Sequence, residues 1–402
     1  MTDREFATDV VSRLQAAGFV ALFAGGCVRD ELLGIEPADY DVATSARPEQ
    51  VQTLFRRSIG IGASFGVIEV LGPKDAAGEW LKVQVATFRN DGAYTDGRRP
   101  DSVTFSTPEE DAARRDFTIN GLFRDPVSGK LWDYVGGEAD LKAKVLRAIG
   151  KPEERFAEDK LRILRAVRMA ARFELEVDPA TMDAARAMAD QISAVSAERI
   201  ADELRKILKH PNRQRGFDLI DAVDLRRVIL PEVSLPNGGI LGRLPNDVSF
   251  ELSLAALLRD AHERQVTTLC QRLKFSNAES QRIQWLCQHR VNLVFNADKR
   301  HVLFPLLAHD GTQELLALTR AENRAPWQFE KIEALLRDHP PETFNPPPLL
   351  TGDDLKAMGL KPGPRFKPLL DEVRALQLDG VIQNRSEAEE KIRERLGPNA
   401  AE

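Results

Sequence analysis

Two glycines at a strand end, a short helix and then two aspartates one residue apart constrain this chain more than any other stretch. FVALFAGG reads as an apolar strand running into a glycine turn, and CVRDELLG starts a helix that Gly34 can end. Without side chains, Gly25 and Gly26 let a phosphate approach the backbone, and a helix N-terminus adds N–H donors and a positive dipole end. Arg29 lies in the first helical turn, where its guanidinium could reach a phosphate bidentately. In ADYDVAT, an extended backbone puts Asp39 and Asp41 on one face. Two such carboxylates repel unless something neutralises them, and Mg²⁺, a hard cation that favours carboxylates and phosphates, does so. Each half alone also fits an ordinary solvated turn. Their combination fits a metal-dependent phosphate site.

At 402 residues the chain exceeds one compact core, so two to four domains are expected. The net charge of -6 disfavours a protein that coats nucleic acid by bulk charge, but leaves room for a local basic groove. No run of eighteen apolar residues predicts a membrane span, and MTDREFATDV lacks the basic and apolar regions of a signal peptide. Cys27, Cys270 and Cys287 show no CxxC spacing; a reduced, cytoplasmic protein without a zinc site is the expectation. GVIEVLG (66–72) and LKVQVATF (81–88) read as strands, with PKDAAGEW as the hairpin turn between them. From about 153 the texture becomes Ala/Leu/Arg-rich and helical in period, with start signals at Pro179 and Ser196. HPPETFNPPP (339–348) reads as a stiff linker.

AGGCVRDELLG…DYDVAT resembles the signature of class II nucleotidyltransferases, the tRNA CCA-adding enzymes and the related bacterial poly(A) polymerases. RRDFTINGLFRD (114–125) is similar to that family's second motif, and QVATFRNDGAYTDGRRPDSVTF (84–105) to the strand and flexible loop before it. The resemblance implies an α+β fold: a polymerase-β-like nucleotidyltransferase head (1–145), then an all-α neck (146–235), body (236–338), linker (339–348) and tRNA-binding tail (349–402). It implies that Asp39 and Asp41 are catalytic and hold Mg²⁺, and that Gly26, Arg29 and Arg115 bind the nucleotide.

AEDKLRILRAVRMAARF (157–173) carries the selection chemistry. Asp159, Arg162, Arg165 and Arg168 recur every three residues, so one helix should bring Asp159 and Arg162 together. Cytosine and adenine share an amine beside a ring acceptor; a carboxylate accepts from the first and a guanidinium donates to the second. An Asp/Arg pair thus selects C and A over U and G without a template. The family's EDxxR motif is used this way, which implies nucleotide-binding roles for Asp159, Arg162, Arg165 and Arg168. SAERIADELRKIL (196–208) is similar to the next neck motif, where Glu198 and Arg199 are expected to brace helices. Asp116 and Asn120 fit a structural or a functional role equally.

Two departures stand out. Gln84 sits where the family often has a glutamate, with Glu69 on the neighbouring strand as a substitute acid. In LAALLRDAHER, Arg259 replaces the first histidine of a phosphohydrolase-like run, so no phosphohydrolase activity is expected. The implied activity is addition of C, C and A to a tRNA 3′ end from CTP and ATP, with tRNA as partner and no protein partner or membrane. An A-adding specialist, a poly(A) polymerase and a non-catalytic tRNA-binding protein remain alternatives.

Overall fold

The computed structural model describes residues 1–62, 66–75, 78–92, 102–296, 298–322 and 326–396. The chain forms two compact units, one of Met1–Ile207 with Arg215–Pro231, the other of Leu208–Gln214 with Glu232–Glu402.

The first unit opens with α1 (Asp3–Ala16), started by a Thr2/Glu5 capping box. Its Phe6, Val10, Val11 and Leu14 pack on one face of a sheet. The sheet contains β1 (Ala21–Ala24), β2 (Val42–Thr44), β3 (Ser58–Gly62), β4 (Val67–Lys74), β5 (Trp80–Thr87), β8 (Leu122–Arg124) and β9 (Leu131–Asp133). Their order is β3-β4-β5-β2-β1-β8-β9. β2 and β5 run parallel, with Val42 facing Val85; the other pairs are antiparallel. The two strands expected from sequence are β4 and β5, and residues 76–77 of the expected turn lie outside the described residues.

Three connections build the site. The helix α2 (Gly26–Leu32) leaves β1 directly, and β2 returns beside β1 with the aspartates just before it. Beyond β5, β6 (Arg89–Asp91) pairs with β7 (Val103–Phe105) as a separate two-stranded ribbon; residues 93–101 of the expected flexible loop lie outside the described residues. The short helix α4 (Pro108–Ala113), capped by Thr107, then delivers Arg114, Arg115 and Asp116. Past β10 (Val145–Leu146), the helices α6 (Pro152–Glu158), α7 (Leu161–Arg172), α8 (Pro179–Ala187) and α9 (Ala197–Lys209) follow. Pro179 is the first residue of α8 under an Asp178 cap, and α9 begins just after Ser196. A short parallel ribbon, Val145 facing Glu176 and Leu146 facing Val177, interrupts the expected all-helical neck.

The second unit is helical, with its longest helix at Asn277–Phe295. Arg259 donates to the Asn237 carbonyl at 2.7 Å. The proline-rich segment is not a free spacer: Pro341–Phe344 forms a 3-10 turn, and Phe344 is buried edge-on against Phe304 at 5.3 Å between ring centres. The tail packs its own small core of Leu350, Leu355, Leu369, Val373, Ile382 and Ile392. Among the described residues no helix is long and apolar enough to cross a membrane.

Candidate nucleotidyltransfer site

Within the first unit a cavity of about 680 Å³ is lined by Gly26, Arg29, Asp39, Asp41, Arg115, Asp159, Arg162, Arg165 and Arg168. These are all nine residues given a catalytic or nucleotide-binding role from the sequence, and they come from three well-separated segments of the chain. Arg89, Asp91, Arg114, Asp116, Asn120 and Arg199 complete the polar wall.

The aspartates follow the alternation of extended backbone. Tyr40 turns inward, 7% exposed, against Phe23, while Asp39 and Asp41 stay open to water. Asp41 is nonetheless ringed by protein. That burial, and next the negative Asp39, push its carboxyl up to about 6; Arg115 pulls the other way. Such a pair is short of positive charge, and hard oxygen donors of this kind suit Mg²⁺. Among the described residues no cluster of three potential metal ligands occurs. Val42 faces Val85, so Gln84 stands beside Asp41 in register, and Glu69 lies across from Gln84 on the next strand. Glu69 is thus two strands from Asp41, roughly 9–10 Å away at ordinary strand spacing.

The glycine turn works differently from the expectation. Gly25 has φ +70°, and a Cβ there would stand 2.5 Å from Arg115 Nη1. The missing side chain at Gly25 therefore makes room for an arginine. Arg29 is 4% exposed and is not a free phosphate hook. Its Nε donates to Asp30 at 2.7 Å, its Nη1 to Asn120 Oδ1 at 2.6 Å, and it stacks over Phe173. Burial lowers its pKa, with Asp30 opposing.

Asn120 also donates to Asp116 Oδ1 at 2.9 Å, and Asp116 Oδ2 accepts from Arg165 Nε and Nη2 at 2.9 and 2.6 Å. Burial alone would raise Asp116; Arg165 and Asn120 outweigh it and bring the carboxyl down to about 2. A continuous polar chain, Asp30–Arg29–Asn120–Asp116–Arg165, thereby ties α2 to α7.

The expected single helix carrying Asp159 and Arg162 is broken. The helix α6 ends at Glu158, Asp159 is extended (φ −146°, ψ 105°), and α7 starts at Leu161. Asp159 competes with the helical ladder: its Oδ1 accepts from the Leu161 N–H at 3.1 Å, its Oδ2 from Arg199 Nη2 at 2.6 Å. Arg162 pairs with Glu158 and donates to the Arg155 carbonyl at 2.9 Å. Arg168 is not directed to open solvent either; it pairs at 2.6 Å with Glu203, which is 3% exposed. Arg199, expected as a brace, both braces Asp159 and lines the cavity. Its ERxxxEL spacing flagged a helix face but not its partner forty residues away.

A metal-suited carboxylate pair beneath an arginine-lined cavity, on a polymerase-type head, defines a nucleotidyltransferase. Residues 21–147 match the family described as the poly A polymerase head domain, and residues 174–235 the probable RNA and SrmB-binding site of polymerase A. A CCA-adding enzyme of Levilactobacillus brevis is 30% identical over 409 residues, covering 96% of each chain. One of Streptococcus pyogenes is 40% identical over 217 residues, 54% of this chain and 52% of that one. The crystal structure of the Bacillus stearothermophilus CCA-adding enzyme in complex with CTP superposes with a TM-score of 0.72 at 25% identity, covering 98% of this chain and 99% of that one. The chain belongs to the CCA-adding enzyme family.

Proposed function

We propose that this protein adds C, C and A in order to the 3′ end of tRNA from CTP and ATP, without a nucleic-acid template, in the cytoplasm. The observation that carries the reading is the convergence of carboxylates, arginines and the Asp159/Arg162 segment on one cavity. The names of the relatives support it.

Asp39 and Asp41 would hold Mg²⁺, in a two-metal arrangement. When bound there the metal supplies Lewis-acid activation of the primer 3′-hydroxyl and neutralises charge on the phosphates. Arg115, close enough to Asp41 to lower its pKa, offers its guanidinium to the triphosphate. Arg165, fixed by Asp116, presents a second cation to the same cavity.

Each carboxylate oxygen of Asp159 accepts one protein hydrogen bond and keeps a further lone pair. It can take the amine of cytosine or adenine while still held by Leu161 and Arg199. Arg162, by donating to the ring acceptor, would exclude uracil and guanine. The body and tail would grip duplex tRNA by shape and phosphate, as RNA helices require.

Equilibrium dialysis of the four nucleotides with Mg²⁺ tests the reading. CTP and ATP should bind and UTP and GTP should not; equal binding of all four would remove the selection mechanism.

A further inference from the structure

The carboxylate of Asp111 is 2% exposed and shared between two arginines of the cavity wall. Its Oδ1 accepts from Arg114 Nε and Nη2 at 3.0 and 2.7 Å and faces the Arg89 N–H at 3.3 Å. Its Oδ2 accepts from Arg115 Nε and Nη2 at 3.2 and 3.1 Å. Burial would raise this carboxyl, yet Arg115 and Arg114 hold it below the usual carboxylate range. Arg114 in turn donates to the Arg89 carbonyl at 3.0 Å and to Asp91 at 3.2 Å, both in β6 of the two-stranded ribbon.

Among the described residues three restraints hold Arg115. Asp111 takes one edge of its guanidinium, the Asn120 carbonyl accepts from Nη1 at 3.1 Å, and the Phe123 ring lies 5.0 Å below. Only Asp111 carries charge. The same guanidinium interacts electrostatically with Asp41. Without Asp111, Asp41 remains as a charged attraction for Arg115, and ion pairing there would compete with Mg²⁺ and misplace the cation.

We propose that Asp111 is a positioning residue for the nucleotide site: it holds Arg115 in its phosphate-facing pose, keeps it off the catalytic aspartates, and links that pose through Arg114 to β6. The inference rests on the reading that this cavity binds CTP and ATP.

A double-mutant cycle tests it, with Kd for CTP and for ATP measured by equilibrium dialysis in Mg²⁺ for wild type, Asp111→Asn, Arg115→Ala and the double variant. Asp111→Asn should weaken CTP and ATP binding by the same factor, about tenfold. It should leave exclusion of UTP and GTP intact, and add less than twofold in the Arg115→Ala background. Multiplicative losses in the double variant would mean that Asp111 does not act through Arg115, and would overturn the proposal. The half-saturating Mg²⁺ concentration, read by the thermal shift of the nucleotide-free protein, should rise in Asp111→Asn and return in the double variant; no rise would equally overturn it. If Asp111→Asn does not fold, Asp111→Glu, which keeps the charge but moves it by one methylene, carries the same cycle with the same criteria. If wild type itself fails to bind CTP and ATP, the functional reading falls, which is distinct from loss of coupling in a protein that binds them.

Discussion

Protonation of Asp41 offers a probe of the Asp39/Asp41 pair that needs no turnover. Its carboxyl lies at about 6, against an ordinary value of 3.8, because of burial first and Asp39 second. A group held more protonated in the folded state stabilises it below the unfolded pKa, and that contribution is lost as pH rises through the folded one. The window is therefore about pH 4 to 6. At ~1.36 kcal/mol per unit, a sealed group with this shift would change stability by about 3 kcal/mol. Asp41 is open to the water of the cavity, so solvent screening reduces this to on the order of 1 kcal/mol. The assay is carboxyl ¹³C NMR of the Mg²⁺-free protein, with the Asp41 resonance assigned from Asp41→Asn. A midpoint near 6 is expected. In Asp39→Asn it should fall toward 3.8 without reaching it, since burial is the larger cause. Added Mg²⁺ should depress it in wild type. A wild-type midpoint at or below 4 would refute the argument that two crowded carboxylates await a cation.

Gly25→Ala should cost about 1–3 kcal/mol, because a side chain at φ +70° is strained and Arg115 Nη1 stands in its path; urea unfolding and CTP binding should both register it. Arg168→Ala removes the 2.6 Å partner of the buried Glu203, leaving Lys206 at 3.4 Å and the more distant charge of Arg165, and should lower stability by about 3 kcal/mol in thermal unfolding. Arg162→Ala should blur base choice more than it weakens triphosphate binding; if UTP and GTP stay excluded in competition dialysis, the template idea fails. Gln84→Glu adds a third acid beside Asp41, and should lower the half-saturating Mg²⁺ concentration while raising the Asp41 midpoint further.

What the sequence revealed was what local chemistry dictates. A glycine able to take positive φ and carboxylates alternating with a buried Tyr40 leave their mark within a few residues. So do the arginines repeating every third position in α7. The partners of those arginines leave no such mark. Asp116 reaches Arg165 across forty-nine residues, Glu203 reaches Arg168 across thirty-five, and Arg199 reaches Asp159 across forty. Only the fold brings each pair together. The kink at Asp159 was hidden for the same reason: the residues of EDKLRILR around Asp159 are mostly helix-favouring, and the break depends on a side chain drawn to Arg199 and the Leu161 N–H. Arg29 reads as a phosphate-reaching residue of the first helical turn until Asp30, Asn120 and Phe173 close around it. In the second unit, Phe344 converts a proline-rich spacer into a packed turn, because one buried aromatic ring outweighs the stiffness of its neighbours.

The central claim is that this one cavity selects C and A and adds them in order. Its most direct test is incorporation of labelled nucleotides into tRNA transcripts ending at the discriminator base, in C and in CC, with Mg²⁺ and with each nucleotide singly and combined. Two C additions, then one A, then arrest are expected, with UTP and GTP inert and Asp41→Ala silent though folded. Addition of A only to the CC transcript would identify an A-adding specialist, and long A tails on any RNA would identify a poly(A) polymerase. Absence of incorporation in the wild-type protein would contradict the account outright.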